Sequence, residues 1–221
     1  MYAADLRTGE PKHWTPGLAE AATVRLEPGS QEYDTVEQFF AQRLYASVRT
    51  RILKIERVQN LDIYRGYQTH LQTLKLRERR RREKGRAALT QAQIERKWLF
   101  HGTNIETARK VAARGFNRSY AGANATLFGK GTYFARDSGY SYQDRYAAPD
   151  DCGHKYIFLC RVAVGAFCKV TRGYDELEPP MRDGQVLYDS TGDASDNPEV
   201  VVAYKDAQVY PEYLVVCEKV K

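Results

Sequence analysis

The sequence contains little cysteine and no long apolar run. Its four cysteines show no CxxC spacing, and 221 residues can bury a core without a disulfide framework. No stretch of 18 apolar residues occurs, and the N-terminal segment "MYAADLRTGEPKHW" lacks the apolar centre of a signal peptide. These absences predict a protein of a reducing compartment, in the cytoplasm or nucleus, with no membrane partner.

The sequence also lacks internal repeats and the composition of a disordered chain. Hydrophobic residues make up 43% and aromatic residues 12%, which argues against disorder over most of the length. The length of 221 residues therefore suits one domain, or one domain with an N-terminal extension.

Excess positive charge is confined to one segment. The formal net charge is +6, and "KLRERRRREKGR", from Lys75 to Arg86, holds eight basic and two acidic residues, so the remainder is neutral. Such a run can bind RNA, DNA or another acidic partner, or it can be a solvated helix end that runs into a flexible loop. The sequence leaves both interpretations open.

Hydrophobic periodicity predicts an α+β fold. "ATVRLEP" and "RILKIERV" are typical of strands. Three helices are predicted: one with Asp34 as its N-cap, one from Asn60 to near Gly85, and one over 105–114 that ends at Gly115. Later segments rich in Val, Tyr and Phe predict strands at "GKGTYFA", "KYIFLCRVAVGAF", "EVVVAY" and "EYLVV". Early helices followed by strands favour α+β over repeated βαβ units.

Three common site patterns are incomplete. In "GANATLFGKGT" six residues rather than four separate Gly122 from Gly129, and Gly131 stands where a P-loop needs Ser or Thr for magnesium. "GKGTYF" lacks the third glycine of a Rossmann fingerprint and has no βαβ unit around it. Cys152 and His154 do not complete a tetrahedral zinc site, so no metal is expected.

The most informative feature is a set of five motifs in a fixed order. They are "LFHGT" at 99–103, "GFNRSYAG" at 115–122, "FGKGTYFA" at 128–135, "YSYQDRY" at 140–146 and "YPEYLV" near the end. Together they resemble the catalytic domain of the PARP family of ADP-ribosyltransferases, most closely the mono-ADP-ribosylating members without a helical autoinhibitory domain. The resemblance implies an ADP-ribosyltransferase-type split β-sandwich of mixed strands with flanking helices. It also implies a single catalytic domain over residues 1–221, with an N-terminal strand and helix part over about 1–90 and an NAD-binding core over about 91–221.

The resemblance also implies roles for residues in those motifs. His101 would hydrogen-bond the adenosine ribose of NAD, the backbone of Gly102 would meet the nicotinamide carboxamide, and Ser141 would reach the carboxamide oxygen. Tyr133 and Tyr146 would sandwich the nicotinamide ring. Backbone donors and acceptors suit an amide, and flat aromatic faces suit a flat ring.

The family's catalytic set has a third position, and here it falls on a valine. Counting back eight residues from Gln208 reaches Val200, so the catalytic set is predicted as His101, Tyr133 and Val200. Glu199 is one residue away, and strand alternation would turn it to the opposite face unless a bulge restores it. Valine cannot accept the proton of an attacking sugar hydroxyl, so chain elongation is not expected.

The predicted function is therefore the transfer of a single ADP-ribose from NAD to protein side chains, Asp or Glu, including those of the protein itself, with release of nicotinamide. Three alternatives stay open: an inactive domain that binds NAD or ADP-ribose, modification of phosphorylated nucleic-acid ends, and NAD hydrolysis. Arg118 is predicted either to contact the adenine or phosphate of NAD or to face solvent.

Overall fold

The computed structural model describes residues 10–19, 21–118, 127–182, 184 and 186–220, so the end of the "GFNRSYAG" motif lies outside the described residues. The helices are α1 (Gln31–Ala41), α2 (Leu61–Glu83), α3 (Gln91–Ile94), α4 (Ile105–Arg114) and α5 (Ser138–Ser141). The strands are β1 (Ala21–Arg25), β2 (Thr50–Asn60), β3 (Arg96–Thr103), β4 (Thr132–Ala135), β5 (His154–Val162), β6 (Phe167–Lys169), β7 (Ser190–Gly192), β8 (Val200–Ala203) and β9 (Val209–Lys219). A 3₁₀ turn, Asp206–Gln208, joins the last two strands.

These nine strands form one mixed sheet in the order β1-β2-β9-β5-β3-β4-β8-β7-β6. Among the described strands, neighbours are antiparallel except for the parallel pair β6 and β7. The α+β prediction is confirmed. Because β2 pairs with β9, both parts of the predicted domain contribute to the same sheet, although the domain assignment for the whole chain stays a prediction.

The sheet is narrowest between β3 and β4, which pair at a single position, Phe100 with Ala135. On one side of this junction β3 pairs with β5 from Arg96 to Thr103, and on the other side β4 pairs with β8 over its whole length. The sheet is therefore split into two halves that meet where β3 and β4 diverge. A split of this kind leaves backbone groups free to face a ligand.

Helices cover the sheet through apolar faces at helical spacing. Tyr33, Val36 and Phe40 of α1 are buried in one cluster, whereas Tyr67 and Leu71 of α2 are buried in another. Helix α4 contributes a third set of buried residues, Ala108 and Val111. Burial of such faces supplies most of the stability of short helices, because isolated helices of this length are marginal in water.

The prediction of Asp34 as the N-cap of the first helix is wrong. The N-cap is Ser30, whose side-chain oxygen accepts a hydrogen bond from the backbone N–H of Tyr33, and α1 begins at Gln31. Asp34 lies in the first turn of α1, where its negative charge interacts favourably with the positive end of the helix dipole. The earlier start also buries Tyr33, which extends the apolar face by one turn.

The predicted ends of α2 and α4 agree with the structure. Asn60 caps α2 by accepting a hydrogen bond from the backbone N–H of Ile63, and Gly85, with φ of +67°, follows its C-cap. Helix α4 ends at Arg114, and Gly115 has a φ of +78°. The basic run therefore lies mostly on the helix, which extends to Glu83, and not on a loop.

A buried polar network joins α2, β3, β5 and β9. The indole N–H of Trp98 donates to the carboxylate of Glu212, while Arg161 donates to Glu95 at 2.9 Å and lies 3.8 Å from Glu212. The hydroxyl of Tyr67 also donates to Glu95, at 2.8 Å. Burial raises the pKa of Glu212. Glu212, the acid of the "YPEYLV" motif, is thus buried in the interior, where an unpaired charge would be strongly destabilising and its partners offset that cost.

None of the helices among the described residues is both long enough and apolar enough to cross a membrane.

Candidate active site

His101 bridges the split between the two halves of the sheet. It lies on β3, and its Nδ1 is 2.8 Å from the backbone carbonyl oxygen of Tyr133 on β4. Its ring packs against Phe116 and Phe134, at centroid distances of 4.9 and 5.5 Å. Burial lowers the pKa of His101, so the imidazole is neutral at pH 7.

The carbonyl of Tyr133 decides which tautomer His101 adopts. A carbonyl oxygen only accepts, so Nδ1 must carry the proton and donate it. The neutral ring then keeps a lone pair on Nε2, and Nε2 can accept a hydrogen bond from a hydroxyl group. A ribose hydroxyl can donate such a hydrogen bond.

Gly102 allows β3 and α5 to approach closely. A Cβ atom at position 102 would lie 2.2 Å from the backbone oxygen of Ser141 and 3.1 Å from the Cβ of Ala147. Helix α5 is held in place because the hydroxyl of Ser138 donates to the backbone oxygen of Phe40 at 2.7 Å. The structure therefore brings Gly102 and Ser141 together, at a place where only glycine leaves room.

The hydroxyl of Tyr133 holds the segment before β4. It donates to the backbone oxygen of Gly129 at 2.8 Å and accepts from the backbone N–H of Phe128 at 2.8 Å. Burial raises the pKa of Tyr133, so the phenol is neutral and keeps both contacts. Two hydrogen bonds to one turn fix this ring at the edge of the site.

Tyr146 is paired with a second tyrosine that the sequence analysis does not predict. The rings of Tyr140 and Tyr146 stack with centroids 4.9 Å apart and an interplanar angle of 18°, and their hydroxyl oxygens are 2.8 Å apart. The guanidinium of Arg145 lies 4.7 Å from the centre of the Tyr146 ring. Tyr140 lies in the "YSYQDRY" motif, but sequence alone gives no sign that these two tyrosines meet.

Val200 lies on the face of β8 that carries the tyrosines. It is 3% exposed, pairs with Ala135 and belongs to a cluster that includes Tyr133 and Tyr140. Pairing of β4 with β8 is continuous from Val200 to Ala203, without a register shift. The third predicted position is therefore apolar and packed against the aromatic part of the site.

Glu199 lies outside that cluster. Its carboxylate accepts a hydrogen bond from the hydroxyl of Tyr45 at 3.2 Å, and its backbone oxygen accepts from the N–H of Arg136 at 2.8 Å. Glu199 is half-buried and Tyr45 is 37% exposed, so the contact between them is open to solvent. Burial and the nearby Glu199 raise the pKa of Tyr45 to about 12.

Arg118 is anchored near the end of β8. Its Nη1 donates to the backbone oxygen of Tyr204 at 2.6 Å, and its backbone N–H donates to Asp206 at 2.8 Å. Among the described residues, the half-buried guanidinium donates only this one hydrogen bond, and its other N–H groups can serve a further acceptor. The proposed contact with NAD stays a prediction.

Cys152 and His154 have a third neighbour, Asp150, and potential ligand atoms of the three lie within 4.8 Å of one another. The carboxylate of Asp150 accepts hydrogen bonds from the backbone N–H groups of Cys152 and His154 and from the hydroxyl of Tyr156. Three protein ligands fall short of a closed zinc site. The expectation of no metal stays a prediction.

A split mixed sheet with a histidine across the junction, a close glycine–serine contact and stacked tyrosines defines the ADP-ribosyltransferase class of catalytic domain. The family model described as "Poly(ADP-ribose) polymerase catalytic domain" matches residues 30–219. The chain belongs to the PARP catalytic domain family.

Several relatives cover nearly all of this chain. It is 38% identical to the protein mono-ADP-ribosyltransferase PARP14 of Homo sapiens over 95% of its length, and 35% identical to PARP10 of Mus musculus over 97%. It is 31% identical to PARP11 of Homo sapiens over 93%. The matched regions make up 11%, 22% and 62% of those proteins, so the chain spans less than two thirds of each.

Proposed function

We propose that the protein is an NAD-dependent mono-ADP-ribosyltransferase that attaches single ADP-ribose units to protein side chains and releases nicotinamide. The observation that carries this proposal is the buried Val200, which lies in one cluster with Tyr133 and Tyr140. The relatives named mono-ADP-ribosyltransferases support the same activity.

The residues of the site fit the chemistry of NAD as a substrate. Breaking the bond between nicotinamide and ribose develops positive charge on the sugar, so both groups must be held while one face stays open. His101 offers Nε2 to a ribose hydroxyl, because its Nδ1 proton is committed to Tyr133. Gly102 has no side chain to block its backbone amide from a carboxamide. Tyr146 stacks on Tyr140 through one face, and we propose that its other face takes the flat nicotinamide ring.

Val200 determines what can attack the sugar. A ribose hydroxyl is a weak nucleophile and needs a group that accepts its proton, but a valine side chain cannot do so. A carboxylate acceptor is already an anion and needs no such base. We therefore propose Asp and Glu side chains as acceptors, those on the protein itself among them, and a product that stops at one unit.

Labelled NAD tests this proposal. Purified protein is incubated with NAD labelled in the adenylate part, separated on a denaturing gel and analysed by mass spectrometry of peptides. We expect label on the protein in single units at Asp or Glu, together with free nicotinamide. Label found only in free ADP-ribose would indicate a hydrolase, and NAD binding without any turnover would indicate an inactive binding domain.

We also propose the cytoplasm or nucleus as the location. All four cysteines lie in the described residues, and each is a free thiol: Cys160 and Cys217 are buried, and Cys152 is exposed. Burial raises the pKa of Cys217 to about 11, which keeps it protonated. Free thiols suit a reducing compartment. Localisation of the tagged protein by microscopy tests this, and a secreted product would contradict it.

A further inference from the structure

The C-terminal half of α2 forms one wall of a basic groove, which we call the α2 groove. Its cavity has a volume of about 440 Å³. The lining residues are Thr73, Leu76, Arg77, Arg80, Arg81, Lys84 and Arg86. Five of these seven carry positive charge and none carries negative charge, whereas the chain outside Lys75–Arg86 is neutral overall.

The groove is built by the helix and its terminal turn. Lining positions on α2 recur at three- and four-residue intervals, which places them on one face. Gly85, in the left-handed conformation, lets the chain turn back, so that the backbone N–H of Arg86 donates to the carbonyl oxygen of Arg81 at 3.0 Å. This bond brings Arg86 alongside the last turn of the helix.

Two of the basic residues already have partners. Arg77 donates to both carboxylate oxygens of Asp189, and Arg81 lies 3.8 Å from Glu78. The other three, Arg80, Lys84 and Arg86, are exposed. Within the part of the chain that the structure describes, these three make no ion pair. Three like charges around one cavity repel one another, and a multivalent anion relieves that repulsion.

We infer that the α2 groove binds the sugar-phosphate backbone of nucleic acid. Arg80 and Lys84 are four residues apart, so they lie on the same face of the helix, about 6 Å apart along its axis, where both can contact phosphates of one strand. No lining residue is aromatic, so the groove offers no surface on which bases stack. The contact is therefore with phosphates and independent of base sequence.

This site does not depend on the proposed transferase activity, so it is tested by binding without NAD. Fluorescence anisotropy measures the affinity for labelled single-stranded RNA and DNA of about 16 nucleotides. Three phosphate contacts give a slope of log affinity against log salt of about −2, or roughly a 16-fold loss between 50 and 200 mM salt. RNA and DNA of different sequences should bind alike.

Charge-reversal variants distinguish binding at the α2 groove from non-specific attraction to the positive charge of the whole protein. Arg80→Glu, Lys84→Glu and Arg86→Glu are combined in one variant, since these exposed side chains form no ion pair with any described residue whose loss would disturb the fold. The matched control combines Arg109→Glu, Lys110→Glu and Arg114→Glu, three exposed positions on α4 with the same change in net charge. The groove variant should bind at least tenfold more weakly at 50 mM salt and lose most of the salt dependence. The α4 variant should keep the salt slope of the wild type.

Circular dichroism measures the helix content of both variants and so checks that they are folded. A second groove variant with Gln at the three positions removes the positive charges without adding negative ones, in case charge reversal causes misfolding.

Several results would overturn the inference: unchanged affinity of the groove variants, an equal loss in the α4 variant, or a preference of more than tenfold for one base sequence. Equally tight binding of a poly-glutamate peptide at the same groove would also overturn it, because the site would then recognise carboxylate chains and not phosphates.

Discussion

Replacing Gly102 with alanine tests whether the close approach of β3 to α5 builds the site. The new Cβ would lie 2.2 Å from the backbone oxygen of Ser141, against 3.4 Å or more for ordinary contacts, so the two backbones must separate by about 1 Å. Overpacking of this kind costs about 1–3 kcal/mol of stability. A displacement of about 1 Å at a substrate-positioning group costs roughly a hundredfold in rate.

Gly66→Ala is the matched control for this substitution. Gly66 is exposed within α2 and has no atom within 4 Å of the added Cβ, so alanine should stabilise the helix by up to about 1 kcal/mol. Urea unfolding measures the stability of both variants, and steady-state release of nicotinamide measures kcat/KM. A Gly102→Ala variant with both the stability and the kcat/KM of the wild type would show that the close approach of β3 to α5 does not build the site.

Three further predictions concern His101, Glu199 and His13. His101→Ala removes the Nε2 acceptor and should reduce transfer by about a hundredfold or more in a folded protein; near-normal transfer would refute the assignment. Glu199→Gln keeps an acceptor for the Tyr45 hydroxyl and should leave transfer within a few-fold, while a loss of roughly 10² to 10⁴ would show that Glu199 acts as a base. Burial lowers the pKa of His13 to about 4, so the unfolded chain binds this proton first, and stability falls as the pH drops from about 6.5 towards 4. His13→Gln should remove roughly 1–3 kcal/mol of that acid sensitivity in urea titrations at different pH, and an unchanged pH dependence would contradict the prediction.

Local signals in the sequence predict many of the elements. The asparagine before α2, and the glycines after α2 and α4, mark helix ends because a side-chain acceptor and a positive φ are local requirements. The start of α1 is missed for a related reason. Ser30 and Asp34 are both good N-cap residues, and the burial of Tyr33, which the sequence does not reveal, favours the earlier one.

The sequence predicts which residues belong to the site but not how they contact one another. The ordered motifs identify the residues, and strand alternation places Glu199 and Val200 on opposite faces of the strand. The contacts between parts depend on tertiary structure: the approach of Gly102 to Ser141 joins segments 39 positions apart, and the stack of Tyr140 on Tyr146 depends on the turn after α5. The basic run likewise becomes a groove only through the turn at Gly85.

The length of the attached product shows whether transfer stops at a single ADP-ribose unit. Protein modified with labelled NAD is digested with a phosphodiesterase that cleaves the pyrophosphate bond, and the released nucleotides are separated by chromatography. A single attached unit releases AMP, whereas internal units of a polymer release phosphoribosyl-AMP. With Val200 at the third position, we expect AMP without phosphoribosyl-AMP. Phosphoribosyl-AMP as a major product of the wild-type protein would contradict it.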